Sequence, residues 1–579
     1  MFFQSSRRRT PIRALVLFGN VASAALNGLC PPLGPVVPAP TSPSTHDSVR
    51  AAIKTITDGF HNITSGFNTT GVSIAVQSIH EKNPMLELHY TPPVLDTTGT
   101  SDVNSETIYR VGSISKIFAI LSVLTEGQMK LEDPITKYVP ELLSLKSEAK
   151  PAANAITTVS WDEVTIGSLT THLSGISADL VYDLGSFPDD FTQIGLPKLT
   201  NSSKTGCAGL FGLPACTRAE FFKDFGKHYP VYAPWTSPVY SNAASSILGF
   251  AIEAATNMTY DAYVKKAIFG PLGMTNTTIF TGPKDRSWGF IPKGDIWFGS
   301  SLGYDDIAGG FYSNTNDLLA FGRGILENRV LDAVTTRKWM KPGTSTSSPG
   351  LMVGGLWEIL RSDTVTKDGR LIEYYTKSGN LGSYNNVVCL IPDYDLVITL
   401  LSGGDESSED FVDFSLTDII TTLLPAVEDA SKTQAEANFA GTYTDAASNS
   451  SITLSLDDGP GVAVSNWTAR GVDIIANYGA FNALSGSVSP VPVRVRVYPT
   501  GLTTGCEAAW RAVFNVGTVE QLAEGDAKRF WAKGSCQTWD TLDRLVYGFK
   551  SIDEFIFGVE GGKANSIQLP AFGLQLRRE

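Results

Sequence analysis

A serine and a lysine three residues apart, Ser113 and Lys116, immediately precede the apolar run 117–121. Residues i and i+3 share one face of a helix, so the two side chains are expected to face the same cleft. A helix N-terminus contributes a positive field where an oxyanion forms, and a desolvated lysine there can act as a base. The spacing predicts a serine nucleophile at the start of a helix, entered from the strand-like residues 107–110.

This pair alone leaves an alternative open, in which Ser113 is a helix N-cap and Lys116 lies on the surface. Ser147 and Lys150 have the same spacing, but they lie in a charged stretch with no apolar face behind it. That second pair is interpreted as a solvated surface. The rest of the chain has to distinguish the two interpretations of Ser113.

Length and composition limit the function classes. A chain of 579 residues with 42% apolar residues predicts two or three domains. Its formal net charge of −13 argues against nucleic acid or an anionic membrane surface as a partner. The six histidines are too scattered for a metal-ligand pattern, so neither metal nor cofactor is expected.

The N-terminus has the order of a secretory signal peptide: arginines 7–9, an apolar stretch 14–18 and small residues 22–25. Residues 1–27 are therefore predicted to direct secretion, the alternative being a disordered basic N-terminus. No later run reaches about 18 apolar residues, so no stable membrane anchor is expected. Glycosylation sequons that agree with export occur at Asn62, Asn68, Asn201, Asn257, Asn276, Asn449 and Asn466.

The six cysteines also fit an exported chain. Local disulfides are predicted for Cys207 with Cys216 and for Cys506 with Cys536. Cys30 and Cys389 either pair or leave Cys389 as a buried thiol in an apolar strand.

Periodicity indicates an α+β domain followed by a small all-β domain. Strands are predicted at 71–76, 86–90, 374–378, 387–391 and 396–401, and helices at 46–60, 242–256 and 411–424. Short alternating strands dominate the last 150 residues, for example 452–456, 493–497 and 567–569. The predicted organisation is a signal peptide 1–27, a proline-rich surface segment 28–45, a catalytic domain 46–427 with an insert at 175–235, and a β-sandwich or barrel 428–579.

A conventional serine hydrolase is the first chemistry to test. The segment 299–303 matches a nucleophile-elbow pattern around Ser301, but every histidine precedes Ser301, whereas that fold needs a histidine after it. The elbow interpretation therefore fails. His172, within the segment 169–175, is interpreted as a hydrogen-bonded structural residue.

The Ser113 motif resembles that of the penicillin-recognising serine hydrolases, in the branch of class C β-lactamases, DD-peptidases and family VIII esterases. The branch has a Tyr-x-Asn element, which occurs here at Tyr240, Tyr312 and Tyr384. Only Tyr240, with Asn242, precedes a suitable helix and a Pro-Leu-Gly-Met segment (271–274). Segments 131–134, 171–175 and 308–318 match further family features, and the resemblance covers about residues 46–425.

The third family element is Lys/His-x-Gly. Lys204-Thr205-Gly206 precedes Tyr240 in the chain, whereas Lys377-Ser378-Gly379 follows it and ends a predicted strand. Chain order and strand context favour Lys377. Position 380 is Asn where β-lactamases usually carry Ser or Thr, and position 378 is Ser where Thr is commoner. In those enzymes both positions touch the β-lactam carboxylate, so efficient penicillin hydrolysis is not expected.

The resemblance implies roles for these residues. Ser113 is the nucleophile, Lys116 and Tyr240 share the general-base role, and Asn242 holds Lys116 and the substrate amide. The oxyanion hole is formed by the backbone N–H groups of Ser113 and Asn380. Lys377, with Ser378 and Gly379, supplies positive charge and attracts a substrate carboxylate.

The resulting hypothesis is a secreted serine hydrolase that cleaves a small-molecule or peptide-like ester or amide through an acyl-enzyme. One alternative is an acyltransferase with the same residues, and another is a non-catalytic binding protein on the same fold. The C-terminal domain resembles that of secreted fungal β-lactamase-like proteins. The sequence leaves the substrate and the oligomeric state open.

Overall fold

The structure, a computed structural model, describes residues 28–145, 154–179, 183–186, 190–209, 212–481 and 492–579. The predicted signal peptide 1–27 and the Ser147/Lys150 pair lie outside these residues.

The first domain is built on an antiparallel sheet. In the described residues its strands are β1 Gly71–Ser78, β2 Leu86–Tyr90, β3 Tyr109–Arg110, β4 Tyr312–Ser313, β5 Thr344–Ser345, β6 Leu351–Gly354, β7 Trp357–Ser362, β8 Ile372–Leu381, β9 Tyr384–Ile391 and β10 Leu396–Gly403. Eight of these form the sheet in the order β2-β1-β10-β9-β8-β7-β6-β5, and β3 pairs with β4 separately. The predicted hairpins β1–β2 and β9–β10 are both present.

Helices cover both faces of this sheet. They are α1 Asp47–Thr64, α2 Ser115–Glu126, α3 Ile166–Thr170, α4 Arg218–Phe225, α5 Asn242–Thr256, α6 Tyr260–Val264, α7 Gly270–Leu272, α8 Asp306–Gly309, α9 Thr315–Leu326, α10 Ala333–Trp339 and α11 Glu409–Phe439 in the described chain. One core lies between α1, α11 and the sheet, and a larger one lies between the sheet and α2, α5 and α9. Because both faces are covered, every residue of β1, β9 and β10 is buried, which explains their nearly continuous apolar sequences. The predicted α+β class is confirmed.

Helix α11 is longer than the sequence predicts. Ser408 caps its first turn by accepting a hydrogen bond from the Phe411 N–H at 3.1 Å, and the helix continues through Pro425 to Phe439. Ala435 and Phe439 then pack into the core of the second domain. The predicted boundary at residues 427/428 therefore falls inside one continuous helix.

The second domain is a closed β-barrel. Its described strands are β11 Gly441–Asp445, β12 Ser450–Ser455, β13 Val462–Ala469, β14 Val472–Asp473, β15 Val493–Thr503, β16 Glu507–Val516, β17 Val546–Tyr547, β18 Lys550–Ser551, β19 Glu554–Glu560, β20 Lys563–Leu569 and β21 Leu574–Arg578. Short helices occur between them: α12 Tyr478–Phe481, α13 Val519–Ala527 and α14 Thr538–Thr541. The main sheet runs β12-β11-β21-β20-β19-β16-β15-β13-β14, and the additional β12–β13 pairing closes it.

The structure corrects two predictions about the chain termini. The 28–45 segment does not simply cross the surface, because Val36 and Val37 are buried against the barrel. The predicted Cys506–Cys536 disulfide is wrong: Cys536 pairs with Cys30, and Cys506 is an exposed free thiol.

The other predicted disulfide is confirmed, and the structure decides between the two alternatives left open for Cys389. Cys207 pairs with Cys216, and Cys389 is a buried free thiol in β9. Six of the seven sequon asparagines are exposed, whereas Asn276 is half-buried and donates to Glu106 Oε2 at 2.6 Å. In the part of the chain that the structure describes, no helix has both the length and the apolar character needed to cross a bilayer.

Candidate active site

Ser113 lies where β3 leads into α2. It is the middle residue of a 3₁₀ turn, Gly112–Ile114, and α2 begins at Ser115. The predicted i,i+3 relation holds, since Lys116 Nζ donates to Ser113 Oγ at 2.9 Å and to Ala308 O at 2.7 Å. Ser113 is half-buried at the wall of a cleft, whereas Lys116 is fully buried behind it.

Two glycines bring this turn against β8. Gly112 has φ +55°, and a Cβ there would lie 2.5 Å from the backbone nitrogen of Asn380. A Cβ on Gly379 would lie 1.9 Å from the carbonyl oxygen of Val111. Both distances are too short for any side chain, so only glycine permits this approach. The turn of Ser113 and the Asn380 amide, the two expected oxyanion donors, are therefore neighbours.

Burial determines the proton affinity of Lys116. Removal from water disfavours its ammonium form, and the nearby positive charge of Lys377 adds to this effect. The attraction of Tyr240 only partly opposes them, so the pKa of Lys116 lies below its ordinary value. A neutral amine within hydrogen-bond distance of a serine hydroxyl is able to accept its proton.

Tyr240 lies between the two lysines. Lys116 Nζ is 4.9 Å and Lys377 Nζ is 5.2 Å from the centroid of its ring. Burial favours the neutral phenol, but the two neighbouring charges outweigh it and hold the pKa of Tyr240 below its usual value. The sequence prediction placed Tyr240 with these lysines, and the structure brings the three together.

His172 packs directly under Tyr240. Their rings stack with centroids 4.9 Å apart, and His172 is in the left-handed region at φ +61°. Burial and the charges of Lys377 and Lys116 lower the pKa of His172 to about 3. Within the described residues the buried Nδ1 of His172 has no hydrogen-bond partner. The sequence predicts a hydrogen-bonded structural histidine, and for Nδ1 that prediction is wrong.

Asn242 begins α5, whose N-cap is Ser241. The expected contact of Asn242 with Lys116 is wrong: Asn242 Nδ2 donates to Asp179 Oδ2 at 2.6 Å, while Lys116 donates to Ser113 and Ala308. Asn242 still lines the same cavity as Tyr240.

Lys377 is paired with an acidic residue that sequence reasoning missed. Glu358, in β7, accepts a hydrogen bond from Lys377 Nζ through Oε1. Its Oε2 accepts from the Ser378 backbone N–H and from Ser378 Oγ, both at 2.8 Å. The charge of Lys377 is thus balanced inside the protein, which differs from its expected role toward a substrate carboxylate.

These groups surround a cavity of about 310 Å³. Its lining residues are Ser113, Asp179, Tyr240, Asn242, Leu302, Asp305, Ala308, Gly309, Glu358, Ser378, Asn380, Leu381 and Glu409. No cluster of three metal-ligating side chains occurs among the residues that the structure describes.

The rejected sequence candidates make structural contacts elsewhere. Ser301 Oγ donates to Asp306 Oδ2 at 2.7 Å, and the Tyr312 hydroxyl donates to the carbonyl of Phe298. The Tyr384 hydroxyl donates to the carbonyl of Phe290 at 3.0 Å.

Comparison with known proteins identifies the class. The family model described as Beta-lactamase matches residues 67–419, and the one described as Beta-lactamase-like-like, C-terminal domain matches residues 431–579. The chain therefore belongs to the β-lactamase and penicillin-binding-protein family of hydrolases.

Individual proteins are similar to this chain over different shares of its length. A β-lactamase-like protein of Arthroderma benhamiae is 28% identical over 95% of each chain. A probable hydrolase, M10, of Phoma sp. is 26% identical over 76% of this chain and 72% of its own. A penicillin-binding protein homologue from Pyrococcus abyssi, of known structure, covers 90% of this chain and 99% of its own at 16% identity, with a TM-score of 0.45.

Proposed function

We propose that the protein hydrolyses an ester or amide through an acyl-enzyme on Ser113. One observation carries the proposal: a fully buried lysine of lowered pKa donates to the Ser113 hydroxyl at 2.9 Å. Such an arrangement activates a serine without histidine. Membership of a hydrolase family supports the same reaction class.

In the proposed reaction, the neutral amine of Lys116 removes the Ser113 proton while Oγ forms a bond to the substrate carbonyl carbon. The carbonyl electrons move to oxygen, and the N–H groups of Ser113 and Asn380 donate to that oxyanion. Collapse breaks the bond to the leaving alcohol or amine, which receives the proton through Tyr240. Water then attacks the acyl-enzyme by the same steps and releases the acid.

The positive charge of Lys377 serves this sequence by stabilising the Tyr240 phenolate. Glu358 holds the pKa of Lys377 above its ordinary value despite the opposing effect of burial. The pKa of Lys377 is thus raised and that of Lys116 is lowered, so Lys377 is the better holder of positive charge and Lys116 is the better proton acceptor.

Intact-mass labelling with a fluorophosphonate tests the proposal. The wild type is expected to gain one adduct, and Ser113→Ala is expected to gain none. Ser301→Ala, at the rejected elbow serine, is the matched control and should label like the wild type. Labelling that persists in Ser113→Ala refutes the assignment, and a folded wild type that never labels favours a binding protein on this fold.

A second experiment separates hydrolase from acyltransferase. The acyl-enzyme formed from an activated ester is allowed to decay in water alone and in water with a primary alcohol or amine. A hydrolase releases the free acid at the same rate in both, whereas an acyltransferase decays only when the acceptor is present and yields its ester or amide.

We also propose that the protein is exported. Two disulfides support this proposal, because such bonds persist mainly in oxidising compartments. Digestion with an N-glycosidase of the protein isolated from whole cultures of its host tests it, since a loss of mass requires passage through the secretory route.

A further inference from the structure

We infer that Glu358 occupies the position of a substrate carboxylate, so that the cleft selects esters and amides without a carboxylate beside the reacting bond. This inference rests on the proposed hydrolase function and adds a substrate class to it. It reverses the expectation that Lys377 attracts an anionic substrate.

The geometry of β7 and β8 carries the inference. The pairing of these strands ends with Glu358 opposite Thr376. Beyond that point β8 borders the cleft, and the Glu358 side chain accepts hydrogen bonds from the two residues of β8 that follow Thr376. Lys377 Nζ, the Ser378 N–H and Ser378 Oγ all donate to its two oxygens.

These three donors form a site suited to a carboxylate. An ammonium and a backbone N–H form strong charge-assisted hydrogen bonds to carboxylates, and a hydroxyl adds a further donor. Here the bound carboxylate belongs to the protein, and its side chain remains 24% exposed to the cavity. A substrate carboxylate has to compete with an internal one that is covalently held in place.

Charge in the rest of the cavity acts in the same direction. Besides Glu358, the lining contains the acidic side chains Asp179 and Glu409, and no lysine or arginine among its described members; burial raises the pKa of the third lining acid, Asp305, to about 7, so that group carries only part of a charge near neutral pH. Lys377 and Glu358 remain ionised together, because their attraction outweighs the burial of each. An anionic substrate therefore meets an acidic wall, whereas a neutral or amine-bearing substrate does not.

Benzylpenicillin and its methyl ester form a probe pair that differs only in the carboxylate. Each compound is tested for its ability to slow fluorophosphonate labelling of Ser113, which detects both reversible binding and acylation. In the wild type the methyl ester is expected to protect at concentrations about tenfold lower than the acid, or more. The measured quantity is the ratio of the protecting concentration of the acid to that of the ester. In Glu358→Ala, which frees the three donors, this ratio should fall, and so shift toward the acid, by about tenfold or more.

Two further variants separate specificity from structure. Glu358→Gln removes the charge but leaves the space filled, so its ratio should lie between those of wild type and Glu358→Ala. Glu409→Gln removes one charge of the acidic wall but leaves the pair of Glu358 and Lys377 intact, so its ratio should shift toward the acid by less than that of Glu358→Ala.

The outcomes distinguish this inference from the proposed function. If Glu358 only orients Lys377, the protecting concentrations of both compounds change by the same factor. The ratio in Glu358→Ala then equals that of wild type, which overturns the inference. A Glu358→Ala protein that the acid still fails to protect also overturns it. Failure of the fluorophosphonate to label Ser113 in folded wild type refutes the proposed function itself.

Discussion

Replacing Gly112 with alanine is expected to slow acylation of Ser113 by about 100-fold or more. The added Cβ would lie 2.5 Å from the Asn380 nitrogen and 2.8 Å from the Asn380 oxygen. An unstrained contact needs about 3.5 Å, so the turn and β8 have to separate by about 1 Å. A displacement of about 1 Å at a reacting centre lowers rates by about 100-fold, and loss of one oxyanion donor lowers them by about 100- to 1000-fold.

The chain offers a matched control for backbone strain. Gly273, which follows α7, also has a positive φ of +72°, but a Cβ there would meet no atom within 4 Å. Gly273→Ala therefore carries the left-handed strain of about 1–2 kcal/mol without the clash. It should lower the melting temperature and leave the rate at Ser113 close to that of wild type.

The assay is the second-order rate of fluorophosphonate labelling, measured beside thermal unfolding of each variant. Both variants must remain folded at the assay temperature for the rates to be compared. A folded Gly112→Ala protein that labels as fast as Gly273→Ala would show that the contact between the turn and β8 does not position the reacting groups.

Three other predictions follow from the described contacts. The labelling rate should rise with pH through an apparent pKa below lysine's ordinary 10.5, because only neutral Lys116 accepts a proton, and Lys116→Arg should abolish this rise. Cys30→Ser should lower the free energy of unfolding by about 2–5 kcal/mol. The loss should exceed that of Cys207→Ser, because the Cys30 disulfide closes a separation of 506 residues rather than 9. Cys506→Ser, at a free thiol, should change the free energy of unfolding little. His172 has a folded pKa of about 3 and an unfolded pKa of 6.5, so unfolding takes up a proton between these values and wild type loses stability on acidification. His172→Gln should therefore destabilise less at about pH 5 than at about pH 8 in urea titrations, and equal losses would contradict this sign.

The parts of the site that sequence reasoning located are those with local signals. Ser113 and Lys116 are three residues apart on one turn, and Tyr240 and Lys377 lie in recognisable short motifs. The helix α5 has helical periodicity, and the strands β8 to β10 contain short strand-like apolar runs. That these motifs lie close together in space follows from their order along the chain in the family fold.

The missed parts depend on contacts between distant segments. Glu358 reaches Lys377 only because β7 pairs with β8, and its own sequence neighbourhood has no unusual feature. The side chain of Asn242 has two possible partners, and the fold places it within hydrogen-bond distance of Asp179, which its sequence position does not reveal. The pairing of Cys30 with Cys536 spans almost the whole chain, whereas local spacing favoured Cys506.

That long-range disulfide also sets an order of events during biosynthesis. Cys30 leaves the ribosome 506 residues before Cys536, which corresponds to about 25–100 s at about 5–20 residues per second. Throughout that time Cys30 has no native partner, and the buried Val36 and Val37 have no barrel to pack against. A nascent chain that stops before residue 536 therefore keeps a free thiol at position 30 and lacks the covalent link between its N-terminal segment and the barrel domain.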